Sequence, residues 1–248
     1  MRGSLIDEAQ HLSDVAAREQ ADARLLGGMG IRLLLGERID ARFRREIADL
    51  DFIATKRGAR ALERIFEQEG WQPERQFNAL NGARRLLFEE PDGAHKIDVF
   101  VERFEMCHAL PLAERLNVLP QTLPAAELAM TKLQIVSLNE KDRGDLYALL
   151  LALEVADHDE DAINAQRIAE LTSADWGLHH TVELNLDRLR NGLADSGLDA
   201  EQQARAEGRI GQLAETIEQA PKSRAWRLRA RIGERKLWYD EPEEVERA

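Results

Sequence analysis

The sequence predicts an α+β protein: a mixed sheet flanked by helices over residues 1–155, then an all-helical C-terminal domain over residues 156–248. Three observations predict it. The runs Asp49-Leu50-Asp51-Phe52-Ile53 and Lys96-Ile97-Asp98-Val99-Phe100-Val101 are short, apolar and bounded by turn residues, as strands are. Segments with apolar residues three and four apart surround them, the signature of amphipathic helices. Beyond the acidic break Ala156-Asp157-His158-Asp159-Glu160-Asp161 only helical spacing remains.

The elements follow in order. Leu5, Ile6, Ala9, Leu12, Ala16 and Ala17 recur at helical spacing and predict a helix over residues 5–23. Arg24-Leu25-Leu26 reads as a short strand, broken by Gly27-Gly28, and residues 29–35 read as a helix closing at Gly36. Residues 37–48 are polar and predict an irregular loop, residues 50–54 a strand, and residues 56–68 an amphipathic helix stopped by Gly70. Residues 76–80 and 84–89 read as strands with a turn at Asn81-Gly82. Pro91-Asp92-Gly93 then predicts a hairpin joining residues 84–89 to residues 96–102. Helices are predicted over residues 123–138, 142–155, 162–171, 174–193, 201–219 and 223–231, and a charged, frayed tail over residues 240–248.

The bulk numbers narrow the function. A chain of 248 residues with 44% hydrophobic residues can bury a proper core, and with 5% aromatics that core rests on aliphatic side chains. There is no run of about 18 apolar residues, so no membrane partner is expected. Residues 1–10 lack a signal-type apolar segment. The single cysteine, Cys107, excludes an intrachain disulfide and fits a reducing, cytoplasmic setting. The formal charge of −12 argues against broad, non-specific binding of nucleic acid, which needs excess Lys and Arg. Two local basic clusters stand against that background: Arg38, Arg42, Arg44, Arg45, Lys56, Arg57, Arg60 and Arg64, and a second between Lys222 and Lys236.

The chemistry centres on three carboxylates. Side chains alternate along a strand, so Asp49 and Asp51 project from one face. Asp98 opposes Ile97 and Val99, so it too can leave the packed face. If the two strands are neighbours, the three converge, and such a trio suits a pair of hard divalent cations.

The order of these features resembles the DNA polymerase β-like nucleotidyltransferase superfamily, and most closely its AbiEii-like abortive-infection members. The resemblance spans residues 24–153. It rests on Leu26-Gly27-Gly28-Met29-Gly30-Ile31-Arg32-Leu33-Leu34, an arginine-rich loop, and Ala48-Asp49-Leu50-Asp51-Phe52. Thr131-Lys132-Leu133-Gln134 and Lys141-Asp142-Arg143-Gly144-Asp145-Leu146 complete it. It implies a nucleotidyltransferase-like sheet in which Asp49, Asp51 and Asp98 are catalytic and bind Mg²⁺ or Mn²⁺, Asp98 also acting as base. Gly27, Gly28, Met29, Lys132 and Arg143 are then the nucleotide-binding positions. The implied reaction moves a nucleoside monophosphate from an NTP to an acceptor hydroxyl on an RNA end such as tRNA, a protein or a small molecule. A toxin paired with an antitoxin partner is one form of that function. The superfamily usually has Ser or Thr where Met29 stands, so a side-chain phosphate contact is missing here. That departure supports the alternative, a catalytically degenerate nucleotide-binding or scaffold protein of the same fold.

Other motifs have plainer readings. The loop at residues 38–45 either steers a polyanion or pairs with Glu37, Asp40 and Glu46. The C-terminal run of basic and aromatic residues either binds single-stranded nucleic acid or, as is more usual, is a helix whose aromatic stripe is core and whose arginines face solvent. In Trp176-Gly177-Leu178-His179-His180 the adjacent histidines point about 100° apart on a helix and do not chelate together. Residues 157–161 lack the glycine and distal glutamate of a calcium loop. Cys107-His108 has no evident third group to orient a dyad.

Overall fold

A computed structural model describes residues 4–241. Residues 242–248, most of the expected frayed tail, lie outside the described residues. The chain forms two compact units: residues 1–37, 44–104 and 110–124, and residues 38–43, 105–109 and 125–248. The main division therefore falls between Pro124 and Ala125, ahead of the acidic break.

In the first unit, α1 (Leu5–Arg18) precedes β1 (Ala23–Leu26) and α2 (Gly27–Leu35). Then follow β2 (Asp49–Ala54), α3 (Lys56–Gln68), β3 (Gln72–Pro73), α4 (Arg75–Asn81), β4 (Arg85–Glu89) and β5 (Lys96–Val101). The five strands make one mixed sheet in the order β1-β2-β5-β4-β3. Only β2 and β5 are parallel; the remaining neighbours run antiparallel. The expected hairpin forms, with Glu89 opposite Lys96 and Leu87 opposite Asp98.

Alternation decides which face is covered. Leu50 and Phe52 of β2, Leu86 and Phe88 of β4, and Ile97 and Val99 of β5 enter one apolar core. Leu12 of α1 and Leu62 and Phe66 of α3 close over it. Phe66 meets Phe52 at 5.4 Å and Phe88 edge-on at 5.2 Å. Thr55 caps α3, accepting from the Gly58 amide at 3.0 Å. The outer edge of β1 is covered by residues 121–123: Leu25 donates to the Gln121 carbonyl, and Leu123 to the Leu25 carbonyl.

The second unit holds α5 (Ala125–Leu133), α6 (Glu140–Ala152), α7 (Ala165–Ala174), α8 (Trp176–Asn191), α9 (Ala200–Gln219) and α10 (Arg224–Ile232). Leu128, Leu149, Ile168, Val182, Leu186, Ile210 and Leu213 are buried in it.

Several elements differ from the sequence expectation. Residues 76–80 lie in α4, not in a strand. Five residues carry too little periodicity to separate the two, and a tertiary bond decides. Asn78 accepts from the Leu87 amide at 2.7 Å and donates to the Leu87 carbonyl at 3.0 Å. The strand beside β4 is Gln72–Pro73 instead. The helix expected over residues 123–138 is confined to Ala125–Leu133. Residues 121–123 are drawn alongside β1, and buried Asn185 donates to the Leu133 and Ile135 carbonyls at 2.8 Å each. The helix expected over residues 174–193 starts at Trp176, where the Asp175 side chain caps the Leu178 amide at 2.9 Å. Finally, Ala162–Asn164 is a short strand, paired in parallel with Glu154–Ala156 across the acidic stretch. The region beyond residue 156 is therefore not purely helical.

Candidate active site

β2 and β5 are neighbours, as the carboxylate argument requires. Their register sets Asp51 opposite Asp98 and Asp49 opposite Lys96. Partners on adjacent strands share a face. Since Leu50, Phe52, Ile97 and Val99 occupy the core face, Asp49, Asp51 and Asp98 stand on the other. The sheet thus brings the three together at the N-terminal ends of two parallel strands.

The glycine turn is built against them. Gly27 has φ +64°, and a Cβ on it would lie 2.0 Å from Oδ2 of Asp51. Gly28 is covered by Arg45, whose guanidinium would be 2.5 Å from an added Cβ. α2 starts at this turn, and its N-cap, Leu26, supplies no side-chain hydrogen bond. The amides of its first turn therefore have no cap from Leu26, and the helix dipole makes this end electropositive. The turn, an acidic face and an uncapped helix start meet here because β1 pairs with β2, with Leu26 opposite Asp51.

Met29 is 1% exposed and belongs to the hydrophobic core. Its side chain packs there rather than facing the turn. Asp98 has a partner that sequence reasoning missed. Arg85 Nε donates to Oδ1 at 2.8 Å and to Oδ2 at 3.0 Å, and a terminal guanidinium nitrogen also donates to Oδ2. The guanidinium lies 5.1 Å from the Phe100 ring centroid and 5.9 Å from that of Phe77. Burial pushes the Asp98 carboxyl above its usual range; Arg85 opposes that rise and the charge of Asp49 adds to it. A signal for Arg85 was present: the hairpin register puts Leu87 opposite Asp98, and Arg85 is two residues along the same face.

The donor set is all carboxylate oxygen, which fits a hard divalent cation. Asp49 and Asp51 supply oxygens of that kind. A cation at Asp98 competes with the Arg85 fork for both oxygens.

Lys132 and Arg143 belong to the second unit. Lys132 Nζ is buried between Asp142 at 2.8 Å and Asp145 at 3.2 Å, and Asn139 caps the Asp142 amide. Arg143 is half-buried in the first turn of α6.

The plainer motifs resolve individually. Arg44 pairs with Glu37 and Arg42 with Asp40, as the paired-loop reading requires, and Arg38 pairs with Asp161. Cys107 is buried, and its sulfur accepts from the Val136 amide at 3.5 Å. His108 is buried, bonds Thr181 Oγ1 at 2.9 Å, and has its pKa lowered by burial, with Asp175 and Asp240 opposing. His179 and His180 part company: His180 stacks on Trp176 at 5.0 Å and bonds Glu234, while His179 faces Glu183. No residue of α10 is buried, so the aromatic stripe expected there is not core: Trp226 is half-buried, edge-on to His179 at 5.0 Å, and Leu228 and Ile232 are exposed. Among the described residues no helix is long and apolar enough to cross a membrane.

No protein-family model matches this chain, and no curated protein matches it.

Proposed function

We propose that this chain is a metal-dependent nucleotidyltransferase with the DNA polymerase β-like fold, akin to the AbiEii-like group, that moves a nucleoside monophosphate from an NTP to an acceptor hydroxyl. The observation that carries this reading is the register of β2 and β5, which aligns Asp51 with Asp98 beside the glycine turn at Gly27. In the reaction an acceptor oxygen bonds to the α-phosphorus, pyrophosphate departs and the acceptor loses its proton. Asp49 and Asp51 would hold Mg²⁺ or Mn²⁺, which supplies charge neutralisation for the phosphates when bound. The Gly27-Gly28 turn and the first amides of α2 would receive phosphate oxygens. Asp98, its carboxyl raised by burial, would accept the proton, and Arg85 would fix its orientation. An RNA end such as tRNA is the proposed acceptor, as in a toxin held in check by an antitoxin.

A second reading is favoured by two observations. Met29 is buried and offers no hydroxyl, and Arg85 already claims both oxygens of Asp98. These suit a degenerate nucleotide-binding protein.

One assay separates them. The chain is incubated with each α-³²P NTP and Mg²⁺, with and without total tRNA. Label transfer that disappears in Asp49→Ala establishes the enzyme. NTP binding without transfer under any condition supports the degenerate reading. NTP binding and turnover unchanged in the Asp49→Ala, Asp51→Ala double variant would sink the site.

A further inference from the structure

We propose that His179, Glu183 and Glu218 form a second metal site, in the second unit, for a borderline divalent cation of the zinc class. His179 and Glu183 are four residues apart on α8, so both project from one helical face. Glu218 reaches them from α9. One ligand atom from each residue lies within 4.8 Å of the other two.

Three observations separate this cluster from a chance meeting of surface acids. His179 is 3% exposed, while both carboxylates are open to solvent, which gives a fixed anchor with an entry path. Its Nε2 is the ring nitrogen turned toward Glu183, and Nδ1, on the other side of the ring, makes no hydrogen bond. Its Nε2 lies 3.3 Å from Glu183 Oε2, longer than the usual N–H···O range. Bond lengths of about 2.0–2.2 Å place tetrahedral zinc ligands about 3.4 Å apart, which matches this separation.

The electrostatics agree. Two carboxylates converge on a buried imidazole that can donate to only one of them. Neither is ion-paired to a lysine or arginine among the described residues. Lys222, the nearby cation, donates to the backbone carbonyls of Ile217 and Glu218 instead. A divalent cation at this point balances both carboxylates at once. One nitrogen and two oxygens, with water as fourth ligand, suit zinc, whereas all-oxygen sets suit magnesium.

The test uses the full chain, stripped with chelator and titrated with Co²⁺, whose visible absorption reports coordination. One equivalent should bind with the intense bands of a low-coordinate site, and Zn²⁺ should displace it while excess Mg²⁺ does not. Glu183→Gln and Glu218→Gln, both at exposed positions, should each weaken binding at least about tenfold with unchanged circular dichroism. His179→Ala should abolish it, and the two glutamate variants carry the test if that variant misfolds. Asp49→Asn with Asp51→Asn should leave these bands intact. Absent bands, bands unchanged in both glutamate variants, or bands lost in the aspartate variant would each overturn the site.

Discussion

Gly27 shows how a single residue ties the turn to the carboxylates. An alanine there meets two penalties: a left-handed backbone, costing about 1–2 kcal/mol, and collision with Asp51. Gly36 has φ +55° with no atom within 4 Å of an added Cβ, so alanine there meets only the first. Gly27→Ala should therefore lower the urea midpoint more than Gly36→Ala and also weaken NTP binding. Equal losses with binding intact would disconnect the turn from Asp51. His108 offers a pH test. Its folded-state pKa lies below the ordinary 6.5. Between that lowered value and 6.5 the unfolded chain binds more protons, so stability declines as pH falls through this window and is full above it. Thermal scans between pH 7.5 and 5 should show that decline, and His108→Gln should flatten it. The paired aspartates and the double glycine were legible from spacing alone. Arg85 was not recognised, although the hairpin register sets Leu87 opposite Asp98 and Arg85 two residues along the same face.

Among the elements, the strands β2 and β5 and the helix α3 follow directly from their apolar patterns, which are long enough to fix a period. α4 does not. Its five central residues fit strand or helix, and the pair of hydrogen bonds from Asn78 to Leu87 selects the helix. Asn78→Ala leaves the Leu87 amide without that partner, while the Leu87 carbonyl keeps the Glu74 amide at 2.9 Å, and should cost about 1–3 kcal/mol in urea unfolding. A loss within experimental error would mean that α4 is held by something else. The break between α7 and α8 has a similar origin. The sequence placed the break at residues 172–173, but α7 runs to Ala174 and the Asp175 carboxylate caps the next helix, which a periodicity count does not register. The helix α10 is a different lesson: its aromatic stripe was legible, yet Trp226 is only half-buried and Leu228 and Ile232 are exposed. Periodicity names a face without saying whether anything covers it.

For the whole molecule, the charge of −12 is the dominant long-range term. Self-repulsion of that size weakens a compact state. Raising monovalent salt from about 10 to about 150 mM shortens the screening length from about 30 to about 8 Å. The thermal midpoint should therefore rise with salt; a fall would mean that local pairs such as Arg42–Asp40 outweigh the net repulsion. The sequence by itself determined the α+β class, the hairpin and the face on which each aspartate stands. Those depend on alternation and turn chemistry, which are local. The tertiary structure alone decided that β2 and β5 are parallel neighbours, that Arg85 grips Asp98, that Lys132 lies between Asp142 and Asp145, and that His179 meets a glutamate from another helix. Each of these depends on strand register or helix packing, and neither leaves a periodic trace in the sequence.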